Sequence, residues 1–134
     1  MSKNMEHLTN SEKDLMEIFW TQAKPLTSVD ILKIADNCSW NGNYIHVMLR
    51  SVMKKGLIKI CGTIQYGTQY ARQFIPVVTK EEYAAKLAMS TGLESSSISK
   101  VAVAMAKETG SDEELIVELE KIIAELKEKE KKEQ

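Results

Sequence analysis

The sequence has few of the features on which secreted, membrane-spanning or metal-binding proteins depend. Its 134 residues include two cysteines, Cys38 and Cys61, which are too far apart for a zinc site and too few for a disulfide scaffold. No apolar run is long enough to cross a bilayer, and no apolar signal core follows the first residues. We therefore expect a soluble cytoplasmic protein with reduced, partly buried thiols and with no metal, cofactor or membrane partner.

Groups suited to catalysis are also scarce. The two histidines, His7 and His46, do not combine with serine, cysteine or acidic residues in any spacing typical of a catalytic set. The sequence also lacks the glycine-rich loop that holds phosphate groups in nucleotide-binding enzymes. These absences predict that the protein is not an enzyme.

The charges are divided unequally along the chain. Residues 1–78 carry nine Lys and Arg against six Asp and Glu, a net charge of +3. Residues 79–134 carry nine Lys against thirteen Asp and Glu, a net charge of −4. This asymmetry predicts two domains, 1–78 and 79–134, and assigns any polyanionic partner to the first.

Two helix starts are visible in the first third of the sequence. Thr9 with Glu12 forms a capping-box pattern for a helix over residues 10–22, and Thr27 with Asp30 does the same for a shorter helix that ends near residues 36–37. Apolar residues at helical spacing are expected to face a core. They are Leu15, Met16, Phe19, Trp20, Ile31, Ile34 and Ala35.

The stretch that begins at Asn41-Gly42 opens with a dipeptide typical of hairpin turns. The apolar residues after it nevertheless follow helical rather than strand spacing. They are Ile45, Met48, Leu49, Val52 and Met53. We therefore predict a third helix with Asn41 as its N-cap and with Gly56, preceded by lysines, at its C-terminal end.

After Gly56 the pattern changes to that of short strands. Residues 57–61 and 70–75 are rich in β-branched and aromatic residues, and the segment 62–69 between them contains two glycines, so we predict a hairpin with a long tip. Pro76 ends the second strand. Three helices followed by a two-stranded ribbon predict a mostly α fold with a small β-hairpin, in the order of a winged helix-turn-helix domain.

The remainder of the chain has only helical signals. Thr79 with Glu82 starts one helix, Gly92 interrupts, and Ser111 with Glu114 caps the last. The apolar residues of these helices predict a dimerisation domain that packs against a second copy of the chain; the alternative is that they fold back on the first domain. They are Leu87, Ile98, Val101, Met105, Leu115, Ile116, Leu119, Ile122, Ile123 and Leu126.

The polar side of the third helix has the residue types that contact DNA. In a helix-turn-helix, the second helix of the motif enters the major groove and its first half reaches the base edges. The residues expected to read bases are Asn43, Tyr44, Val47 and Arg50. Those expected to contact the DNA backbone are Thr27, Ser28, His46, Lys54, Lys55, Lys59, Tyr66 and Arg72. The alternatives are a solvated helix face and, for the hairpin tip, a plain loop.

Several blocks of the sequence resemble the penicillinase-repressor (BlaI/MecI/CopY) family of bacterial transcriptional regulators. The blocks are Leu8-Thr9-Asn10-Ser11-Glu12, the segment from Trp40 to Gly56, Phe74-Ile75-Pro76 and Glu82-Tyr83. The resemblance is strongest over residues 8–83. It implies a homodimeric winged-helix repressor that binds an operator dyad in double-stranded DNA, with C-terminal helices that form the dimer and with an upstream sensor protein as a further possible partner.

The sequence also departs from that family. Members typically begin the recognition helix with a Ser-Pro-Lys-Thr-like stretch, whereas this chain has Asn41-Gly42-Asn43-Tyr44. It contains no Asn-Phe bond of the kind cleaved in the antibiotic-responsive members and no Cys-x-Cys pair of the copper-responsive members. Neither induction route is therefore expected here. A winged-helix protein–protein interaction module that has lost specific DNA binding is the alternative function.

Overall fold

A computed structural model describes residues 7–36, 38–109 and 112–133. The chain forms two compact units, the first reaching Thr91 and the second beginning at Gly92. In chain order the elements are α1 (Asn10–Gln22), α2 (Ser28–Ile34), α3 (Gly42–Lys54), β1 (Ile58–Tyr66), β2 (Gln69–Pro76), α4 (Lys80–Ser90), a 3₁₀ turn (Ser95–Ser97), α5 (Ile98–Thr109) and α6 (Asp112–Glu133).

The helix starts predicted from the sequence are confirmed in the first unit. Thr9 Oγ1 accepts a hydrogen bond from the Glu12 amide at 3.1 Å, and the Thr9 amide donates to Glu12 Oε1 at 2.9 Å. Thr27 and Asp30 form the same reciprocal pair. Asn41 Oδ1 accepts from the Tyr44 amide at 2.9 Å, so Asn41-Gly42 opens a helix and does not form a hairpin turn.

Helix α2 is shorter than the sequence predicts. Ile31 is fully buried and Ala35 is buried at the helix end, but Ile34 is 39% exposed. The prediction that Ile34 faces the core is therefore wrong, because the helix ends at that residue. Asn37, at the predicted helix end, lies outside the described residues.

One apolar core joins the three helices to the base of the hairpin. Its fully buried residues come from α1, α2, α3 and the segments that flank them. They are Leu15, Met16, Phe19, Leu26, Ile31, Ile45, Val52 and Leu57. Burying each such side chain contributes about 1.5 to 3 kcal/mol to stability, so the core fixes α3 firmly on one side.

The hairpin has long strands and a short turn. Strands β1 and β2 pair antiparallel from Ile58 opposite Pro76 to Tyr66 opposite Gln69, with a bulge at Cys61. Only Gly67 and Thr68 remain between the strands, and Gly67 takes a positive φ of 60° that suits glycine. The predicted long tip over 62–69 is therefore wrong, since residues 62–66 and Gln69 belong to the paired strands and only two residues form the turn.

A backbone bridge fixes the position of the hairpin, and both cysteines lie at the surface. Leu26, between α1 and α2, exchanges two backbone hydrogen bonds with Phe74 of β2 at 3.0 and 2.8 Å. This bridge ties the hairpin to the helices. Both Cys38 and Cys61 are exposed free thiols, which corrects the expectation that they are partly buried.

Helix α4 belongs to the first unit, where it packs beside α1. Trp20 Nε1 donates to the Val78 carbonyl at 2.9 Å, and the ring of Tyr83, itself 7% exposed, lies 5.9 Å from that of Trp20. Leu87 is partly buried against the same core. The first compact unit therefore includes α4 and extends beyond residue 78 to Thr91, and the assignment of Leu87 to a dimer surface stays a prediction.

The second unit consists of the 3₁₀ turn, α5 and α6, and none of its described helical residues is buried. Most large apolar side chains of α5 and α6 are half exposed. The predicted cap at Ser111 lies outside the described residues. None of the helices formed by the described residues is long and apolar enough to cross a membrane.

Candidate nucleic-acid interface

Helix α3 has two chemically different sides. Ile45, Leu49 and Val52 are at most 2% exposed on the side that faces the core. On the opposite side four exposed residues follow one another at helical spacing: Asn43, Val47, Arg50 and Lys54. We call these four residues the reading stripe. Val47 is 57% exposed, although a β-branched apolar side chain gains nothing from water.

Tyr44 is 40% exposed but lies to one side of the reading stripe. At 100° per residue, it falls on the same side of α3 as Ser51 and Lys55. Three of the four residues predicted to read bases therefore share a face with Lys54. Tyr44 borders that face.

Lys55 and Thr27 are not available to DNA in this structure. Lys55 Nζ lies 2.6 Å from Glu12 Oε1 and donates to the His7 carbonyl at 3.1 Å, with the side chain 11% exposed. The Thr27 side chain is fully buried and its Oγ1 caps α2. In this structure the polar groups of both residues are used inside the first unit, so contact with the DNA backbone by either one stays a prediction.

The structure brings several of the other predicted backbone contacts to one place. A groove of about 560 Å³ runs between α3, the start of α2 and the hairpin. Its lining includes four of them, Ser28, His46, Tyr66 and Arg72, together with Arg50, which was predicted to read bases. Lys54 and Lys59 are exposed but do not line the groove.

Tyr70 is a groove residue that the sequence analysis missed. It is 69% exposed on β2, beside Gln69 in the groove lining. Side chains two residues apart on a strand point to the same face, so strand periodicity from Arg72 was the signal that would have found Tyr70. The sequence analysis placed Tyr70 in the second strand, residues 70–75, but assigned a contact only to Arg72 and did not extend the periodicity to Tyr70.

Glu12 is a second residue whose role was only partly predicted, because the sequence analysis identified only its capping contact. It is 3% exposed, and besides the hydrogen bonds of the cap and of Lys55 it accepts one from Ser51 Oγ of α3. Burial alone raises the pKa of this carboxyl. Hydrogen bonds from Lys55, Ser51 and the Thr9 amide, together with the Lys55 charge, outweigh burial and lower the pKa from 4.5 to about 2. Glu12 is therefore a fixed negative charge at neutral pH.

The described residues do not include a cluster of metal-ligating side chains. Among residues 7–36, 38–109 and 112–133, no group of three or more His, Cys, Asp and Glu side chains is arranged to hold a metal ion. The chemistry that the interface does offer is hydrogen bonding, positive charge and apolar contact. Those are the means by which proteins bind DNA bases and phosphates.

Three helices, with a hairpin directly after the third, define a winged helix-turn-helix protein. The chain belongs to the penicillinase repressor family, whose family model matches residues 8–125. It is therefore a DNA-binding transcriptional regulator.

Comparisons with solved structures and with curated proteins add no further functional assignment. The chain is similar in structure to a zinc-responsive MarR family member, ZitR of Lactococcus lactis, solved as a crystal structure. The sequence identity is 15% and the TM-score 0.43, over 96% of this chain and 82% of that one. A search of curated proteins finds no match.

Proposed function

We propose that the protein is a homodimeric transcriptional repressor that binds an operator dyad, with one α3 helix in the major groove of each half-site. The reading stripe carries this proposal. A row of exposed polar, basic and apolar side chains on the outer side of a firmly buried helix is the surface that a helix-turn-helix protein presents to base edges. Family membership supports the same assignment.

Each residue of the reading stripe has a chemical role in this proposal. Arg50 donates two hydrogen bonds to guanine, and Asn43 forms a paired contact with adenine. Val47 covers a thymine methyl group, with Tyr44 beside it. Lys54 contacts phosphate and fixes the register of the helix without reading sequence.

The second unit supports the proposal that the protein is a dimer. Its helices expose an apolar surface that single soluble chains rarely leave uncovered. The most exposed members of the predicted dimer surface are Ile98, Met105, Ile116, Ile122, Ile123 and Leu126, each 49–60% exposed. Val101, Leu115 and Leu119 of the same helices are half-buried. A second copy of the chain that covers these faces would hold two α3 helices about one DNA turn, or a multiple of it, apart.

Fluorescence anisotropy on DNA from upstream of the protein's own gene tests this function. With Lys54, Lys59 and Arg72 on phosphates in each protomer, the logarithm of affinity should fall with the logarithm of salt at a slope of about −5. A random duplex of the same length serves as the control. A slope near zero, or no binding at low salt by a protein that light scattering shows to be dimeric, would overturn the proposal and favour a protein–protein interaction module.

A further inference from the structure

The groove between α3 and the hairpin has the size of a small-molecule site. Its volume of about 560 Å³ lies within the range of cavities that bind cofactors and drug-sized ligands. The hairpin leans towards the helices, because Tyr66 Oη lies 3.2 Å from Thr27 Oγ1 at the start of α2. Tyr66 therefore bounds the groove at the hairpin tip.

The lining of the groove combines an apolar floor with positive charge. The floor, as we call the apolar part of the lining that is open to solvent, consists of Val29, Met53 and Tyr70. Arg50 of α3 and Arg72 of β2 belong to the same lining. Among the residues that the structure describes, no carboxylate lines the groove. A ligand that suits this lining has a flat apolar body and a negative charge at its edge.

We propose that this groove binds a planar aromatic carboxylate. The ring lies on the apolar floor, where its burial replaces water on Met53 and Tyr70. The carboxylate accepts paired hydrogen bonds from the guanidinium group of Arg72 or Arg50, the geometry that arginine favours with carboxylates. A small inorganic anion would satisfy the arginines but leave the apolar floor exposed, so it fits the lining less well.

The ligand would control DNA binding through a shared residue. Arg50 belongs both to the reading stripe and to the groove, and Arg72 of the groove is also a proposed phosphate contact, so neither guanidinium group can hold the ligand's carboxylate and DNA at the same time. Ligand and DNA therefore weaken each other's binding by the same factor. This regulatory consequence rests on the proposed function, whereas the binding site itself does not.

Titration of the full ¹⁵N-labelled chain with 2-naphthoate, followed by NMR, tests the site without DNA. We expect saturable binding with a Kd of about 1 mM or tighter, as a ligand of this size achieves in a partly apolar site. Amide shifts should concentrate at Val29, Met53, Ala71 and Arg72. Neutral 2-naphthamide and acetate are the controls, and both should bind at least about tenfold more weakly because each lacks half of the recognised chemistry.

Two variants localise the binding. Arg72→Gln should raise the Kd for 2-naphthoate about tenfold. Val29→Glu, which places a negative charge on an exposed groove residue, should also weaken binding. Lys13→Gln removes a charge from the exposed face of α1, away from the groove, and should change nothing. No saturation at 10 mM naphthoate, equal binding of the amide, or variants that bind like the wild type would overturn the site.

A competition experiment separates the site from its consequence. Adding 2-naphthoate to the protein–DNA complex should lower DNA affinity, and acetate at the same ionic strength should not. Ligand binding with unchanged DNA affinity would overturn the mutual exclusion. Absence of DNA binding before any ligand is added would overturn the proposed function, while the NMR titration would still decide the site.

Discussion

Lys55 Nζ lies 2.6 Å from Glu12 Oε1, with both side chains at most 11% exposed, and the pair joins the end of α3 to the first turn of α1. Ser51, one turn earlier on α3, bonds the other carboxylate oxygen. Two contacts on one side of α3 fix its rotation. The reading stripe, on a neighbouring side, is therefore held in orientation by a residue that never faces the DNA-binding surface.

Breaking this ion pair should destabilise the first unit. Lys55→Met leaves the Glu12 carboxylate buried without its cation, and we expect a loss of about 3 kcal/mol in the free energy of unfolding. The control is Lys80→Met, since Lys80 pairs with Glu17 at 2.7 Å in an exposed position and should cost at most about 0.5 kcal/mol. Urea unfolding of both variants checks the difference, and equal losses would show that the Glu12 pair has no special role.

The lowered pKa of Glu12 predicts a specific acid sensitivity. The folded-state pKa of about 2 lies below the ordinary 4.5, so in this window the unfolded chain binds a proton that the folded chain does not. Stability that is complete above pH 4.5 is lost as the pH falls towards 2. In Glu12→Gln the slope of the unfolding free energy against pH should be shallower by up to about 1.4 kcal/mol per pH unit. Identical slopes in the two proteins would contradict the assignment.

Two variants of Tyr83 distinguish the contribution of packing from that of hydrogen bonding in the contact between α4 and α1. Its ring is buried beside Trp20, and its hydroxyl has no hydrogen-bond partner among the described residues. Tyr83→Phe should therefore be neutral or stabilising, because it removes an unsatisfied polar atom. Tyr83→Ala should cost about 3 kcal/mol or more through the cavity that it leaves. Thermal melts of the two variants check this, and a costly Tyr83→Phe would reveal a partner for the hydroxyl.

Gly42, at the first position of α3, offers a test of close approach to DNA. A Cβ added there would meet no atom within 4 Å, so Gly42→Ala should stabilise the free protein by about 0.5 kcal/mol. If the backbone at this point lies against the DNA, the same variant should bind the operator more weakly despite its greater stability. Unfolding and anisotropy measurements on one preparation report both effects. Tighter DNA binding that follows the added stability would argue against close approach.

Local chemistry made much of the fold predictable. Capping boxes, the Asn41 cap and the apolar spacing of α1 and α3 depend on residues within four positions of each other, so the sequence displays them directly. The boundary between β1 and the turn was predicted wrongly because Gly62 was interpreted as a turn residue. In the structure it lies within β1, next to the bulge at Cys61, and the turn is at Gly67.

Residue roles set by long-range contacts were not predictable in the same way. Lys55 and Thr27 have the residue types and positions of phosphate contacts. Their true partners, Glu12 for Lys55 and Tyr66 for Thr27, are 43 and 39 residues away. No local pattern identifies such a partner. By contrast, the reading stripe was predictable because it is the complement of an apolar face that the sequence shows clearly.

Comparing Arg50→Ala with Lys54→Ala on operator and random DNA tests the central claim most directly. If the reading stripe reads bases through Arg50, its removal should cost about 1 to 3 kcal/mol on the operator and much less on random DNA, while Lys54→Ala should weaken both duplexes equally. Anisotropy at one fixed salt concentration gives all four values. Equal losses on both duplexes for Arg50→Ala would contradict the account.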